Sequence, residues 1–196
     1  MENVVKIAAA KEEFAARIGQ VSTEMQSALK NKVVQLVDYS MYAARYIGTN
    51  TTIELMQSAD KKKVGVTNVN SRKLEANEYA LFTGMQLLQS SSAKTRGTTD
   101  EAVAAADYGK IDQTIANGEI ELKQGDRILM PRSSCEAFRT SQYSDKLVGY
   151  VAFDSPKMVT PLSDIIPTLY LAAPCDETTN NTFIKCVFYG VKTNKA

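Results

Sequence analysis

The chain contains no histidine and no tryptophan. Without histidine, Ser-His and Cys-His nucleophile pairs and His-ligated metal sites are excluded within its 196 residues. Cysteine is scarce. Cys135, Cys175 and Cys186 form an odd, widely spaced set with no CxxC, which is neither a disulfide framework nor a zinc site. Buried, reduced thiols are the expectation, in a reducing compartment. An excess of either charge is also missing: Lys plus Arg is 23 against 22 for Asp plus Glu, a formal +1. A dedicated nucleic-acid binder normally carries a basic excess, so that class is disfavoured. No run approaches the ~18 apolar residues of a membrane span. The start, Met1-Glu2-Asn3-Val4-Val5-Lys6, lacks a basic segment followed by an apolar one, so no secretory signal is expected. Glycines do not assemble into GxGxxG or a P-loop. The expectation is therefore a chain that is not an enzyme and takes no cofactor, metal or small-molecule substrate. An enzyme using carboxylates, Lys or Cys is the rival reading.

What is present falls into two unlike parts. Residues 2 to 47 are rich in Ala, Glu, Lys, Gln and Met and hold no proline. From residue 53 onward Val, Ile, Thr, Tyr and Phe dominate, and all five prolines lie there. Helix formers give way to strand formers. In the first part Val4, Ile7, Phe14, Ile18, Val21, Met25 and Ala28 recur at steps of three and four, with Lys11 in the missing step. That is a heptad-like apolar stripe. It shifts phase at Leu29, Val33 and Leu36, which marks a stutter or the join of two helices. Tyr39, Tyr42 and Tyr46 continue at helical spacing, and Gly48 is a plausible C-cap. The reading is a helical extension over 1–48, with Val4, Ile7, Phe14, Ile18, Val21, Met25, Tyr39, Tyr42 and Tyr46 as a candidate interface. Such a stripe packs on its own domain, on a second copy or neighbour, or on a membrane surface.

The second part, 53–196, alternates short strand-like runs with turn signals. Strands are expected at 64–69, 79–88, 119–122, 127–131, 147–153, 165–171 and 182–191, with a helical turn at 101–106 and a polar loop at 90–100. Ile111 to Ile115 leads into Asn117-Gly118, a strong hairpin signal, and Gln124-Gly125-Asp126 reads as a further turn. Roughly eight strands without helical crossovers favour an antiparallel sandwich or barrel over parallel βαβ units.

Few constellations carry chemistry. Glu119 and Glu121 share a strand face, where paired carboxylates hold a cation or form an ordinary solvated face. Lys61-Lys62-Lys63 with Arg72 and Lys73 is the densest basic cluster, diluted by Asp60, Glu75 and Glu78. Weak phosphate-backbone contact is one reading of it and a solvated linker the other.

The run Gly149-Tyr150-Val151-Ala152-Phe153-Asp154-Ser155-Pro156-Lys157, then Ile165 to Leu171, then Phe183 to Val191, resembles the closing strands of jelly-roll coat proteins from tailless icosahedral bacteriophages. The Asn117-Gly118-Glu119 segment is similar to their mid-domain hairpins. The resemblance implies a mainly β fold, a single jelly-roll-like antiparallel β-sandwich with an N-terminal α-helical extension. It implies a structural virion protein, assembled in the host cytoplasm, whose partners are copies of itself or other virion proteins. The alternative is a non-viral β-sandwich that binds a ligand or mediates adhesion through its loops. On the two-part reading, residues after 47 fold without the extension.

Overall fold

A computed structural model describes residues 2–139 and 147–195, with side chains from residue 9 onward. Val4 and Ile7 therefore contribute only their backbone here, within the first helix. That helix, α1 (Glu2–Ala16), ends at a short 3-10 turn over Ile18–Gln20 that contains Gly19, a poor helix residue. The second helix, α2 (Thr23–Lys30), is started by Ser22, whose hydroxyl accepts from Met25 N at 3.3 Å. Its exit is a Schellman turn. Lys32 takes φ 57, Lys32 N donates to Leu29 O and Val33 N reaches back to Ala28 O. The join of two helices thus lies at 17–22, ahead of the phase shift in the stripe.

The chain then becomes strand, not helix. β1 runs over Val34–Tyr46 and pairs antiparallel with the last strand along its whole length. This corrects the extent of the helical extension, which stops at Lys30, and it places Tyr39, Tyr42 and Tyr46 on a strand. The physical reason is local composition: Val33 to Tyr46 is rich in β-branched and aromatic residues, and pairing over 13 residues outweighs a three-and-four spacing of tyrosines. The boundary between the parts falls near residue 32, so the β domain begins at β1 and not at residue 53.

The remaining strands are β2 (Thr52–Glu54), β3 (Ala80–Ala93), β4 (Glu119–Gln124), β5 (Arg127–Ser134), β6 (Tyr150–Val159), β7 (Ile165–Tyr170) and β8 (Asn180–Lys195). Two short helices, α3 (Asp100–Ala104) and α4 (Gln113–Ala116), interrupt the long passage from β3 to β4. The strands form two four-stranded antiparallel sheets in the orders β1-β8-β3-β6 and β2-β7-β4-β5. Met41, Phe82, Met85 and Phe188 from the first meet Ile53, Ile120, Leu122 and Leu169 from the second in one buried cluster. Two sheets face to face around a shared core make a β-sandwich.

Four expectations need local correction. Asn117-Gly118 is not a hairpin turn. Asp112 caps α4 by accepting from Ile115 N at 3.0 Å, and Asn117 ends that helix at φ −74. Residues 64–69 form turns and isolated bridges, because their backbone serves the edge of β1 instead of a strand of its own. β3 continues through 90–93, where it pairs with β8 from Phe183 to Asn180. β6 runs on through Pro156, which an edge strand tolerates here because Pro156 lies between Ala152 and Lys157, where the register with β3 is broken by a bulge.

Both ends of the outer face of the β1-β8-β3-β6 sheet are covered. At one end Ala10, Phe14, Val21 and Met25 pack on Leu81, Met158, Val191 and Val34. At the other, Val103 of α3 packs on Ala44 and Phe183, with Tyr46 and Tyr108 alongside. Phe14 is fully buried at the centre of the helical cap. Phe14→Ala is expected to lower stability by about 3–5 kcal/mol through lost transfer energy and the cavity left behind. Urea unfolding should show this as a lower midpoint at unchanged slope. An unchanged midpoint would mean that the cap is not docked as described.

Candidate functional site

The stripe residues divide on folding. Phe14, Val21 and Met25 are buried against the chain's own sheet. Ile18 sits half-buried in the 3-10 turn. The three tyrosines do not share a face, because β1 sends odd and even residues to opposite sides. Tyr39 lies on the inner side, stacked on Phe82 at 6.3 Å and beneath Lys192 Nζ at 4.7 Å from its ring. Burial, then Glu78 and Glu75, raise its phenol far above the ordinary value. Tyr42 and Tyr46 face outward. Tyr42 accepts from Gly65 N at 3.3 Å, and Lys185 Nζ lies 5.1 Å from its ring and 5.4 Å from that of Tyr108. Tyr46 donates to Glu177 Oε2 at 2.7 Å, a bond that raises its phenol pKa.

The edge of β1 is closed by a side chain that imitates a strand. Tyr42 N donates to Asn68 Oδ1 at 2.8 Å, and Asn68 Nδ2 donates to Ser40 O at 2.6 Å. Ala44 N donates to Val66 O at 2.7 Å. An open edge is a template for unwanted pairing, and this loop removes part of that template.

Glu119 and Glu121 do lie on one face of β4, away from Ile120 and Leu122. They do not form a pair with a common ligand. Glu121 is buried, takes an ion pair from Lys123 Nζ at 2.8 Å and accepts from the Tyr170 hydroxyl at 3.2 Å. The Lys123 bond is the main reason its carboxyl is held below the usual range. Arg132 stacks on the Tyr170 ring, 3.7 Å from its centroid. Among the described residues no group of three or more His, Cys, Asp or Glu is placed to hold a metal ion.

The basic cluster is split by the fold. Arg72 goes to Glu54 at 2.8 Å and Asp164 at 2.7 Å, and Lys73 to Asp164 at 3.1 Å. Lys62 pairs with Glu75 at 2.6 Å, and Lys63 with Asp100 at 3.2 Å and Glu101 at 2.7 Å. Lys63 is the largest cause holding the Glu101 carboxyl down at about 2. Lys61, Lys62 and Lys63 line an open groove of about 610 Å³ with Arg45, Thr67 and Thr98 among the other walls. Sequence reasoning singled out the lysines and missed Arg45 and Asn68. Neither carries a motif, and only the fold lays β1, which holds Arg45, against the segment that holds Asn68.

Asp164 ties the connection between β6 and β7 to the one between β2 and β3 through Arg72 and Lys73. Hydrogen bonds from Lys73 and then Arg72 hold its carboxyl below the usual range. A folded-state pKa below the unfolded one gives stability at neutral pH that is lost as pH falls through the folded value. The loss therefore begins below the unfolded value of about 3.9. Asp164→Asn is expected to flatten the acid limb of a stability-versus-pH curve. An acid limb identical to the parent's would show that this carboxylate is not coupled to folding.

The three cysteines are free and buried. Burial pushes the Cys135 and Cys186 thiols up to about 12 and Cys175 to about 11, so all three are protonated at neutral pH and poor nucleophiles. No helix among the described residues is long and apolar enough to cross a membrane.

No protein-family model and no curated protein matches this chain. Among solved structures it is similar to a chain of the acidic stable capsid structure of Helicobacter pylori bacteriophage KHP30, at 9% identity and a TM-score of 0.29, over 83% of this chain and 99% of that one.

Proposed function

We propose that this chain is a structural virion subunit that acts by assembling with copies of itself or by docking on other coat proteins. The observation that carries the reading is the strand order. Strands 1, 8, 3 and 6 in one sheet and 2, 7, 4 and 5 in the other are wound as an eight-stranded jelly roll. That double Greek key serves viral capsids as well as lectins and cupins. Fold alone does not choose among them. The interior favours the structural use: Met41, Phe82, Met85 and Phe188 fill the space between the sheets with fully buried side chains. The groups with chemical potential are also engaged structurally, with Glu121, Lys62, Lys63, Arg72 and Asp164 all in ion pairs. The concave groove beside Arg45 favours a second reading, a sandwich that binds a ligand at its loops. Negative-stain electron microscopy of the concentrated chain, alone and with candidate coat proteins, tests the first. Rings, shells or decorated particles are expected, and isolated small particles in every sample would contradict it.

A further inference from the structure

We infer that two copies of this chain pair edge to edge through β1, antiparallel about a two-fold axis at Leu36. The inference rests on the assembly reading and names one contact within it.

β1 is the outermost strand of its sheet, flanked only by β8. Its even-numbered residues turn their main-chain groups away from β8. Tyr42 N and Ala44 N donate off the edge to Asn68 Oδ1 and Val66 O, and Ser40 O accepts from Asn68 Nδ2. The register with β8 is unbroken from Val34 to Tyr46, so the same alternation holds at Val34, Leu36 and Asp38. Their outward N–H and C=O groups have no partner among the described residues. Gln35, Asp38 and Ser40 are exposed along this stretch. The loop through 66–68 thus closes one half of the edge and leaves the other half open, a template for a further strand.

The open half fits a second copy of itself. Ser40 O is already taken by Asn68. The longest antiparallel register built from free groups alone therefore sets Val34 opposite Asp38, Leu36 opposite Leu36 and Asp38 opposite Val34. Each of these pairs exchanges two main-chain hydrogen bonds. The same register brings Val33, 62% exposed, diagonal to Val37 of the second copy. The charges agree with it. Lys32 and Asp38 are exposed and have no ion pair among the described residues. Asp38 of each copy lies diagonal to Lys32 of the other, within reach of a long side chain. A charge on an edge strand discourages indiscriminate pairing, so Asp38 selects a strand that brings a cation to that place. The contact is short and weak by itself, as suits a subunit held by several contacts at once.

Register-specific cross-linking tests the pairing. Gln35 stands opposite Val37 of the second copy as a non-hydrogen-bonded pair, about 4.5 Å between Cα atoms. That lies inside the roughly 4.4–6.8 Å that a disulfide spans. Full-length Gln35→Cys and Val37→Cys chains are mixed under mild oxidation, with the three native cysteines buried. A mixed disulfide dimer is expected at several times the yield of either variant alone. Asp38→Lys in both chains is expected to cut that yield about fivefold, and adding Lys32→Asp to restore it. Both charge changes fall on exposed side chains, so the swap stays informative. Equal yields in mixed and single-variant samples would overturn the pairing, and so would failure of the charge swap to restore it. Larger assemblies without the Gln35–Val37 link would overturn the pairing and leave the assembly reading in place. The link without any larger assembly would uphold the pairing and count against a shell. Exchange protection of the Leu36 and Asp38 amides only when another coat protein is added would give the edge to a foreign strand and overturn self-pairing.

Discussion

Gly190→Ala is expected to lower stability by more than about 3 kcal/mol, well above the usual surface substitution. Gly190 lies in β8 between Tyr39 of β1 and Phe82 of β3, beside the point where the β3 register shifts between Phe82 and Gly84. A Cβ built there would stand 1.9 Å from the Leu81 carbonyl oxygen and 2.9 Å from Phe82 Cα. Both are backbone atoms of a central strand, so relief requires separating the strands rather than turning a side chain. In a protein of this size each kcal/mol moves the unfolding midpoint by about 2–4 °C, so a fall of roughly 10 °C is expected. Gly19→Ala makes the same chemical change where nothing lies within 4 Å. It is expected to be neutral or to stabilise by up to about 1 kcal/mol. Equal midpoints for the two variants would contradict the described approach of β8 to β3.

The second large effect separates two truncations. Removing residues 1–31 leaves β1 and both sheets intact but uncovers Leu81, Met158 and Val191, which Phe14, Val21 and Met25 otherwise bury. The product is expected to fold, with lower stability and a stronger tendency to associate through the uncovered face. Removing residues 1–47 also deletes β1, and with it the whole register from Val34↔Lys195 to Tyr46↔Phe183. It opens the full edge of β8 and takes Met41 and Ala43 out of the core. Loss of cooperative unfolding and aggregation are expected, at variance with a β domain that begins after residue 47. Near-UV circular dichroism and urea titration distinguish the two products. A native-like spectrum and a sharp transition for the shorter chain would contradict the place of β1 in the sheet.

β1 also shows where sequence reading reaches its limit. The strands legible in advance, β3 to β8, carry alternation or apolar runs bounded by turn residues, and these are local signals. The turn at Gly125 was legible for the same reason, since its φ of 54 suits glycine. β1 was obscured because a spacing of three and four among its tyrosines imitates a helix, while its strand character is fixed by a partner at the far end of the chain. Asn117-Gly118 failed in the opposite direction. The dipeptide suits a hairpin, but the Asp112 cap five residues earlier starts a helical turn, and Gly118 is needed because a Cβ would come within 2.6 Å of Tyr170 O. The candidate site was half legible. The Lys61 to Lys63 run stands out in the sequence, whereas Arg45 of β1 and Asn68 of the facing segment acquire their roles only when the fold lays the two against each other. The stripe of Phe14, Val21 and Met25 was legible as amphipathic. Which surface it covers depends on Leu81, Met158 and Val191, residues that no local pattern connects to it.

The proposed role as an assembling subunit is tested most directly by size-exclusion chromatography with multi-angle light scattering across a wide range of protein concentration. The account predicts a mass that rises above the 21.5 kDa of one chain toward discrete closed oligomers, or toward particles when other coat proteins are added. A mass fixed at one chain at every concentration and with every such partner would contradict it.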